Sequence, residues 1–448
     1  CLGLPGALPT PNGAAIAAGV TTGLALGADV HPRTWFERKN YHYPDLAKGY
    51  QISQYEAPLC TGGAIEVVLP DGDRRRIGLE RLHLEEDTAK LVHDADATLI
   101  DFNRSGLPLM EIVSRPDLRS GDEARAYLEA LRQLLRWLGV STGNMEDGAL
   151  RADVNVSVRR RGDTALGTKV EVKNLNSFAA AKAAVEHEAV RLAELAARGE
   201  PIAQGTRGWD ERARASFAMR TKETADDYRY FPEPDLPPLV LDPAWIAARR
   251  AALPELPAAR RAHLSTAWHL ADAEARVLSR DRATADFAVA ALTAAVGPAA
   301  TEGDATARAV AAWITGPLFA LANAEPALGD GWTQRVAPDA LAELERLVAD
   351  GQLNRQQAKD VLAEMWSSGE RAPAIVAARG LSQLSGADEL ARIVEAVLDA
   401  HPKPLADWRS GKASASAFLL GQVMRASGGR ANAAAARAVL DAALDRRR

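Results

Sequence analysis

Two runs of alternating character, RADVNVSV at residues 151–158 and KVEVK at residues 169–173, decide the fold class of the first half of this chain. In each run, polar or charged side chains alternate with Ala or Val, the period-two pattern of a strand with one buried face. The runs lie close enough in sequence to form a hairpin about Gly162. We therefore predict a sheet with one apolar and one polar face.

Helices are predicted on either side of these strands. Residues 120–123 (SGDE) have the Ser-x-x-Glu form of a capping box, and apolar residues then recur at helical spacing until Gly139 ends the helix. An Ala-rich helix is predicted from about Phe178 to Arg198, where Gly199 stops it. Strands and helices thus share the first half of the chain.

A Pro-dense stretch at residues 231–238 closes this half, because proline blocks both helix continuation and strand pairing. We place a domain boundary near residues 245–255. Beyond it nearly all of the sequence reads as helix, with breaks near residues 297–298, 329–331 and 367–369 and at Pro402. The fold class predicted for the whole chain is α+β.

Composition limits the class of protein. Of the 448 residues, 47% are hydrophobic and 25% charged, which is typical of globular proteins, and no apolar run reaches the roughly 18 residues that span a bilayer. The two cysteines, Cys1 and Cys60, supply neither a disulfide framework nor a tetrahedral zinc site, so we expect a cytoplasmic protein without zinc. The chain opens with Cys1 rather than Met, and we expect a segment upstream of it.

The net charge of -5 hides an uneven distribution. Residues 401–448 hold nine Lys and Arg against three Asp. A local basic surface of this kind docks phosphates even when the whole molecule is acidic.

A hairpin symmetric about Gly162 places Asp153 opposite Glu171. Like charges across a sheet are destabilising unless a cation compensates them, and Mg²⁺ favours one or two carboxylates with phosphate and water oxygens. A register shifted by two residues instead places Asp153 against Lys169 or Lys173 in an ordinary ion pair. The residues alone leave both registers open.

Residues 85–87 (EED) end a strand-like run that begins at Ile77. Such a cluster binds metal or forms a solvated turn. Adjacent strand residues point to opposite faces, so Glu85 and Glu86 need not share one ion.

Two further segments combine cations with aromatic or acidic residues. Residues 39–51 hold tyrosines among lysines, a mixture that stacks a base and grips phosphate or forms an ordinary loop. Residues 219–232 hold Arg220, Lys222 and Arg229 beside acids, an arrangement suited to a transferring phosphoryl group or to surface ion pairs. No Gly-rich phosphate loop, nucleophile triad or metal-spaced His pair occurs in the sequence.

These segments carry a resemblance that covers essentially the whole chain. The sequence resembles the B subunits of tRNA-dependent aspartyl/glutamyl amidotransferases at residues 1–9, 38–55, 83–87, 102–113, 143–148, 169–177, 226–235, 411–412, 418–424 and 428–432. The archaeal Glu-specific relatives carry an inserted synthetase-like domain, whereas this chain passes from Leu239 to Leu256 without one.

The resemblance implies a mainly antiparallel-sheet cradle at residues 1–248, a helical domain at 249–377 and a helical tRNA-binding tail at 378–448. It implies ATP-dependent phosphorylation of the side-chain carboxylate of Glu-tRNA(Gln) or Asp-tRNA(Asn), followed by amidation. The implied partners are a glutaminase A subunit, a small C subunit and tRNA, with no membrane. The implied cofactors are ATP and Mg²⁺.

Site residues also follow from the resemblance. It implies catalytic roles for Glu86, Asp153 and Glu171, and metal binding by the same three residues and Glu85. The other implied sets are phosphate-binding Arg104, Lys173, Arg220, Lys222 and Arg229; tunnel or acceptor-end Lys39, Tyr41, Tyr43, Asp45 and Lys48; and tRNA-binding Lys403, Arg409, Lys412, Arg425 and Arg430. The alternative is a non-catalytic protein that only docks tRNA, in which these acids are structural.

Overall fold

The structure is a computed structural model, and it describes residues 3–94, 96–221, 225–301, 304–381, 387–428, 431 and 433–447. It divides into two compact units, residues 1–258 and 259–448. The first combines sheets with helices and the second is helical, so the predicted α+β class is confirmed. The three-part division predicted from the sequence stays a prediction.

Among the described residues, the strands lie in the first unit. They are β1 (Asp29–Val30), β2 (Arg33–Thr34), β3 (Glu37–Asn40), β4 (Tyr50–Ser53), β5 (Cys60–Thr61), β6 (Ala64–Val68), β7 (Arg74–Glu86), β8 (Lys90–His93), β9 (Thr98–Asp101), β10 (Pro108–Ser114), β11 (Ala152–Val156), β12 (Val170–Leu175), β13 (Gly205–Asp210), β14 (Ala215–Thr221), β15 (Phe231–Pro232) and β16 (Leu239–Val240).

Helices occur in both units. They are α1 (Gly13–Ala25), α2 (Gly121–Trp137), α3 (Phe178–Ala197), α4 (Ala225–Tyr228), α5 (Pro243–Ala251), α6 (Pro257–Ala267), α7 (Asp272–Leu278), α8 (Arg282–Val296), α9 (Ala305–Trp313), α10 (Phe319–Ala324), α11 (Pro338–Ala349), α12 (Arg355–Ser368), α13 (Ala372–Arg379), α14 (Ala387–Ala400), α15 (Pro402–Arg409), α16 (Ala413–Ala426) and α17 (Ala433–Arg446).

Helix α2 begins and ends as its sequence predicts. The Ser120 side chain accepts a hydrogen bond from the Glu123 backbone N–H at 3.1 Å, and Gly139 takes a positive φ of 68° beyond the last turn. The Glu123 carboxylate accepts from the Arg119 backbone N–H, one residue before the position that a capping box specifies. Helix α3 starts after Ser177 and Gly199 follows its end, so both predicted helices are confirmed.

Two larger sheets organise the first unit. One has the order β1-β5-β7-β10, with β6 also paired to β7, and the other has the order β11-β12-β13-β14. In the described chain the pairings are antiparallel except for β12 with β13, which are parallel and connected through α3. Strand β15 pairs with β3, and β16 pairs with β2.

One face of β7 is covered by helix α1. Leu82 and Leu84 pack with Val20 of the helix and with Leu59 in a buried cluster. A Cβ at Gly19 would lie 2.6 Å from a methyl carbon of Leu59, so only glycine permits this close approach. The opposite face of the C-terminal half of β7 is therefore the one left for polar side chains.

The second unit contains two apolar clusters. The larger draws buried residues from between Leu264 and Ile375, and the smaller from between Leu390 and Leu444. The helical stretch Ala305–Ala324 is long and apolar enough to cross a membrane by length and composition, a test that core helices also pass. Val310, Trp313 and Leu318 within it are buried in the larger cluster.

Candidate active site

Strands β7 and β10 place an imidazole between two carboxylates. His83 stands opposite Glu111 in the register, and Glu85 follows two residues later on the same face of β7. The His83 Nε2 atom lies 3.4 Å from a Glu111 oxygen and 3.7 Å from a Glu85 oxygen. Ligand atoms of these three residues all lie within 4.8 Å of one another, and we call them the acid–histidine cluster.

Within the acid–histidine cluster, contacts between His83 and Glu111 shift the pKa of each residue. Burial by itself lowers the pKa of His83, but the contacts with Glu111 and Glu85 outweigh burial and raise it. The same contact with His83 is the main reason that the pKa of Glu111 falls to about 2. The two carboxylates therefore stabilise the charged form of the His83 imidazole.

The acid–histidine cluster also fits a divalent cation. Two carboxylates and an imidazole form a donor set that such ions accept, and the buried His83 Nδ1 has no hydrogen-bond partner among the described residues. His83 and Glu111 were not selected from the sequence, although both lie in segments that carried the resemblance. The signal was the pattern His-x-Glu on one strand face, which indicates a site only once the partner strand is known.

Glu86 points to the other face of β7, as expected for a strand neighbour of Glu85. Its carboxylate accepts hydrogen bonds from the Ile52 backbone N–H at 2.9 Å and from the Lys48 ammonium, with which it forms an ion pair. Glu85 instead accepts from the Ser53 hydroxyl at 3.2 Å. The two acids therefore have separate partners, and the metal role of Glu86 stays a prediction.

The predicted register that set Asp153 opposite Glu171 is wrong. The pairs Asn155–Glu171 and Val156–Val170 are centred on residue 163 rather than on Gly162, so Asn155 stands opposite Glu171, and a bulge lies between Ala152 and Val154. The Lys173 ammonium lies 3.1 Å from Asp153 and 3.9 Å from Glu171. The ion pair offered as the alternative is thus the one that forms, and it draws both acids to one lysine.

Charged residues on the strand pair β11–β12 interact electrostatically with those on the strand pair β7–β10. Burial raises the pKa of Asp153, the Lys173 charge opposes that rise, and the negative charges of Glu171 and Glu111 add to it. Glu171 is held in place by the Thr206 hydroxyl, which donates to it at 2.9 Å. The acids of β11 and β12 therefore face the same region as the acid–histidine cluster.

An aromatic and cationic group borders the same region. The Lys39 ammonium lies 4.9 Å from the Tyr228 ring centre and 5.7 Å from that of Tyr41, and its charge lowers the pKa of Glu111. The Asn40 side-chain amide donates to the backbone carbonyl of Arg229 at 2.9 Å. The predicted segment of residues 39–51 thus reaches the acids through Lys39.

The other residues predicted from the sequence are more dispersed. Arg104 lies 3.2 Å from Asp87 and donates to the Thr88 carbonyl, so its charge is partly compensated by groups of the protein itself. Tyr43 and Arg229 are exposed, and one buried oxygen of Asp45 has no partner among the described residues. The side chains of Arg220, Lys222 and Arg430 lie outside the described residues.

The basic residues of the helical tail are exposed on the second unit. Arg409 donates to the Arg447 carbonyl at 2.7 Å, and Lys412 pairs with Asp407 at 2.9 Å. Lys403 and Arg425 are also exposed. Their predicted role in tRNA binding stays a prediction.

Comparisons with known proteins match nearly all of the chain. The family model of the GatB/GatE catalytic domain matches residues 1–247, and that of the GatB domain matches residues 298–444. Curated proteins named as the B subunit of aspartyl/glutamyl-tRNA(Asn/Gln) amidotransferase are similar over their length. The one from Dehalococcoides mccartyi strain 195 is 47% identical over 99% of this chain and 91% of its own. The one from Thermomicrobium roseum is 49% identical over 99% and 90%, and the one from Moorella thermoacetica is 48% identical over 96% and 89%.

Proposed function

This chain belongs to the family of B subunits of tRNA-dependent amidotransferases, and from that premise we propose that it activates the side-chain carboxylate of an amino acid esterified to tRNA. The substrate is glutamate or aspartate misacylated onto tRNA(Gln) or tRNA(Asn). The side-chain carboxylate is phosphorylated by ATP and then converted to an amide by ammonia. The observation that carries this proposal is the convergence of the acid–histidine cluster with Lys173, Asp153 and Glu171 in the unit that matches the catalytic-domain family model.

Activation is required because a carboxylate at neutral pH is anionic and resists attack by ammonia. In the first step a carboxylate oxygen attacks the γ-phosphorus of ATP, the bond to the β-phosphate oxygen breaks, and ADP leaves. Such a transition state is stabilised mainly by positioned cations. Lys173, which lies between Asp153 and Glu171, is the described cation best placed to orient a phosphate at this site.

A divalent cation, expected to be Mg²⁺, would be held by Glu85, Glu111 and His83, with Asp153 and Glu171 near it. When bound it neutralises phosphate charge. These residues also fix the site without it, since the buried His83 ring contacts both carboxylates.

In the second step, ammonia attacks the acyl carbon, inorganic phosphate leaves, and the nitrogen loses a proton to become the amide. A separate A subunit produces the ammonia by hydrolysing glutamine, and a small C subunit contacts both larger chains. Asp153, whose pKa is raised, is the candidate acceptor for the proton. The Lys39 charge acts on Glu111, and the rings of Tyr41 and Tyr228 lie beside the Lys39 ammonium, which supports an acceptor-end or tunnel-mouth role.

The test uses the complex assembled with its partner chains. Glu85→Gln and Glu111→Gln keep side-chain size but remove the charges that organise His83 and bind a cation. We expect each to lower ATP-dependent amidation of Glu-tRNA(Gln) and Asp-tRNA(Asn) by about 10²- to 10⁴-fold. Glu66→Gln, on exposed β6 and paired only with Arg74 in the described structure, is the matched control.

The same measurements discriminate the scaffold alternative. If both variants retain wild-type amidation and tRNA affinity, the acids are structural and the chain only docks tRNA. If amidation falls while glutamine hydrolysis and tRNA affinity persist, the activation step belongs to this chain. Assays with each misacylated tRNA separately establish which substrate is used.

A further inference from the structure

Arg81 lies on the same face of β7 as the acid–histidine cluster, two residues before His83. Its guanidinium carbon is 5.4 Å from the centre of the Tyr55 ring. That ring stacks in turn on Tyr230, with centroids 4.4 Å apart and planes 9° from parallel. The arginine is therefore positioned by aromatic contacts rather than by an acid.

One buried hydrogen-bond donor of Arg81 has no acceptor among the described residues. Its Nε is buried and has no hydrogen-bond partner among the described residues, and no ion pair within 4.0 Å joins Arg81 to a described acid. Arg38, by contrast, donates through Nε and a terminal nitrogen to both oxygens of Glu233, each at 2.8 Å. A buried donor without an acceptor is destabilising, so a ligand that supplies an acceptor gains by binding there.

The charge of Arg81 nevertheless acts on the site. It contributes to the lowered pKa of Glu111, and it opposes the rise that burial causes in the pKa of Tyr230. A fixed cation with an unused buried N–H thus stands beside the carboxylates where the chemistry is proposed. A planar guanidinium matches the paired oxygens of a carboxylate or phosphate.

We propose that Arg81 binds a substrate oxyanion at the acid–histidine cluster, and that Tyr55 and Tyr230 position its guanidinium. The inference rests on the proposed function, because it assigns the arginine a ligand of that reaction. The oxyanion is either the side-chain carboxylate of the aminoacyl group or the terminal phosphate of ATP. Both present the paired oxygens that the guanidinium accepts.

The test compares Arg81→Gln, Arg81→Lys and Arg81→Ala in the assembled complex. Arg81→Gln is expected to lower amidation about 100-fold, and Arg81→Lys to recover only part of it, because lysine retains charge without the planar pair of donors. Low millimolar guanidinium is expected to restore part of the activity of Arg81→Ala. A purely structural role would not produce that rescue. Arg75→Gln, an exposed arginine on the same strand, is the control.

Equilibrium binding of ATP separates the two oxyanions. A weakened ATP affinity in Arg81→Gln assigns the phosphate. Unchanged ATP affinity with reduced acyl-phosphate formation on misacylated tRNA assigns the carboxylate. Tyr55→Leu, which removes the ring beneath the guanidinium, is expected to give a smaller loss than Arg81→Gln.

Thermal unfolding of every variant checks the fold. The inference is overturned if Arg81→Gln amidates within twofold of wild type. It is also overturned if activity falls with stability and guanidinium restores none of the activity of Arg81→Ala. Failure of the proposed function has a different signature, since the wild-type complex would then show no ATP-dependent amidation.

Discussion

The two units of this chain differ in the charged side chains that are buried among their described residues. Among the described residues, the first unit buries His83 and the acids Glu37, Glu86, Asp87, Glu123, Glu188 and Glu233. The buried acid described in the second unit is Glu345, which accepts a hydrogen bond from the Trp313 indole N–H. Burying a charge is costly unless partners compensate it. The helical unit is therefore stabilised mainly by apolar packing, whereas the sheet unit also contains networks of buried polar groups.

Within the sheet unit the networks are of two kinds. Glu233 is held bidentately by Arg38, and Glu188 is surrounded by Arg191, Arg207 and Ser216. On the polar face of β7, in contrast, His83 and Arg81 each keep a buried nitrogen without a described partner. Saturated networks stabilise a fold, whereas unsaturated ones leave capacity for a ligand.

Outside the acid–histidine cluster, the largest effect on activity is expected at Glu86 and Glu171. In the assembled complex, Glu86→Gln and Glu171→Gln are predicted to slow the ATP-dependent step by about 10²-fold or more. Glutamine hydrolysis and tRNA affinity should persist, and all three are measured on one preparation. Near wild-type amidation with Gln at both positions would make these acids structural and confine the chemistry to the acid–histidine cluster.

Truncating a core side chain in the helical unit tests the contribution of apolar packing. Leu292 of α8 is fully buried in the larger apolar cluster. Leu292→Ala is predicted to destabilise that unit by about 3 kcal/mol, because the deleted methyl groups leave a cavity. Calorimetry should show the loss, while kcat for amidation well below the unfolding temperature stays unchanged. A lowered kcat there would show that the helical unit contributes to the chemistry.

Disrupting a saturated network should lower the stability of the protein rather than its activity. Glu188 is fully buried, and Glu188→Gln leaves Arg191 and Arg207 undercompensated at a cost of about 2 kcal/mol, since both arginines are partly exposed. Hydrogen exchange of the α3 amides measures this change. Equal protection in variant and wild type would show that the network contributes no stability.

The same substitution has a defined pH dependence. Burial by itself raises the pKa of Glu188, but the hydrogen bonds from Arg191 and Ser216 and the nearby charges outweigh it, so the folded-state pKa is lowered. The stabilisation is thus fully present above the ordinary glutamate pKa of about 4.3 and is lost as the pH falls through the folded-state value. The difference between wild type and Glu188→Gln should therefore shrink in acid.

The smallest effects are expected from the exposed charges of the tail. Deleting residues 403–448 is predicted to weaken tRNA binding and flatten its salt dependence, but it also removes helices that pack on Leu390 and Val394. Lys403→Gln and Arg425→Gln avoid that damage. Each should reduce the slope of log K against log salt by about one. An unchanged slope would remove these residues from the tRNA surface.

Sequence reasoning succeeded where the determining chemistry is local. Ser120 and Gly139 specify the ends of α2 because capping involves residues within one turn. It failed at Asp153, because the connection between β11 and β12 does not specify the centre of the turn, and moving that centre by one residue shifts every pairing by two. It also missed the pairing of His83 with Glu111, since that contact requires knowing which strands are neighbours. Motif resemblance identified the segments, but only the strand register brought these two side chains together.

The pairing of β15 with β3 and of β16 with β2 has a consequence for synthesis on the ribosome. Arg38 meets Glu233 across a separation of 195 residues, so β2 and β3 emerge long before the strands that complete them. Closing such a loop is slow compared with forming helices, and unpaired strand edges aggregate. The nascent sheet unit therefore has an interval of exposure that ends only after residue 240 has left the exit tunnel, and a pause in translation before that point lengthens it.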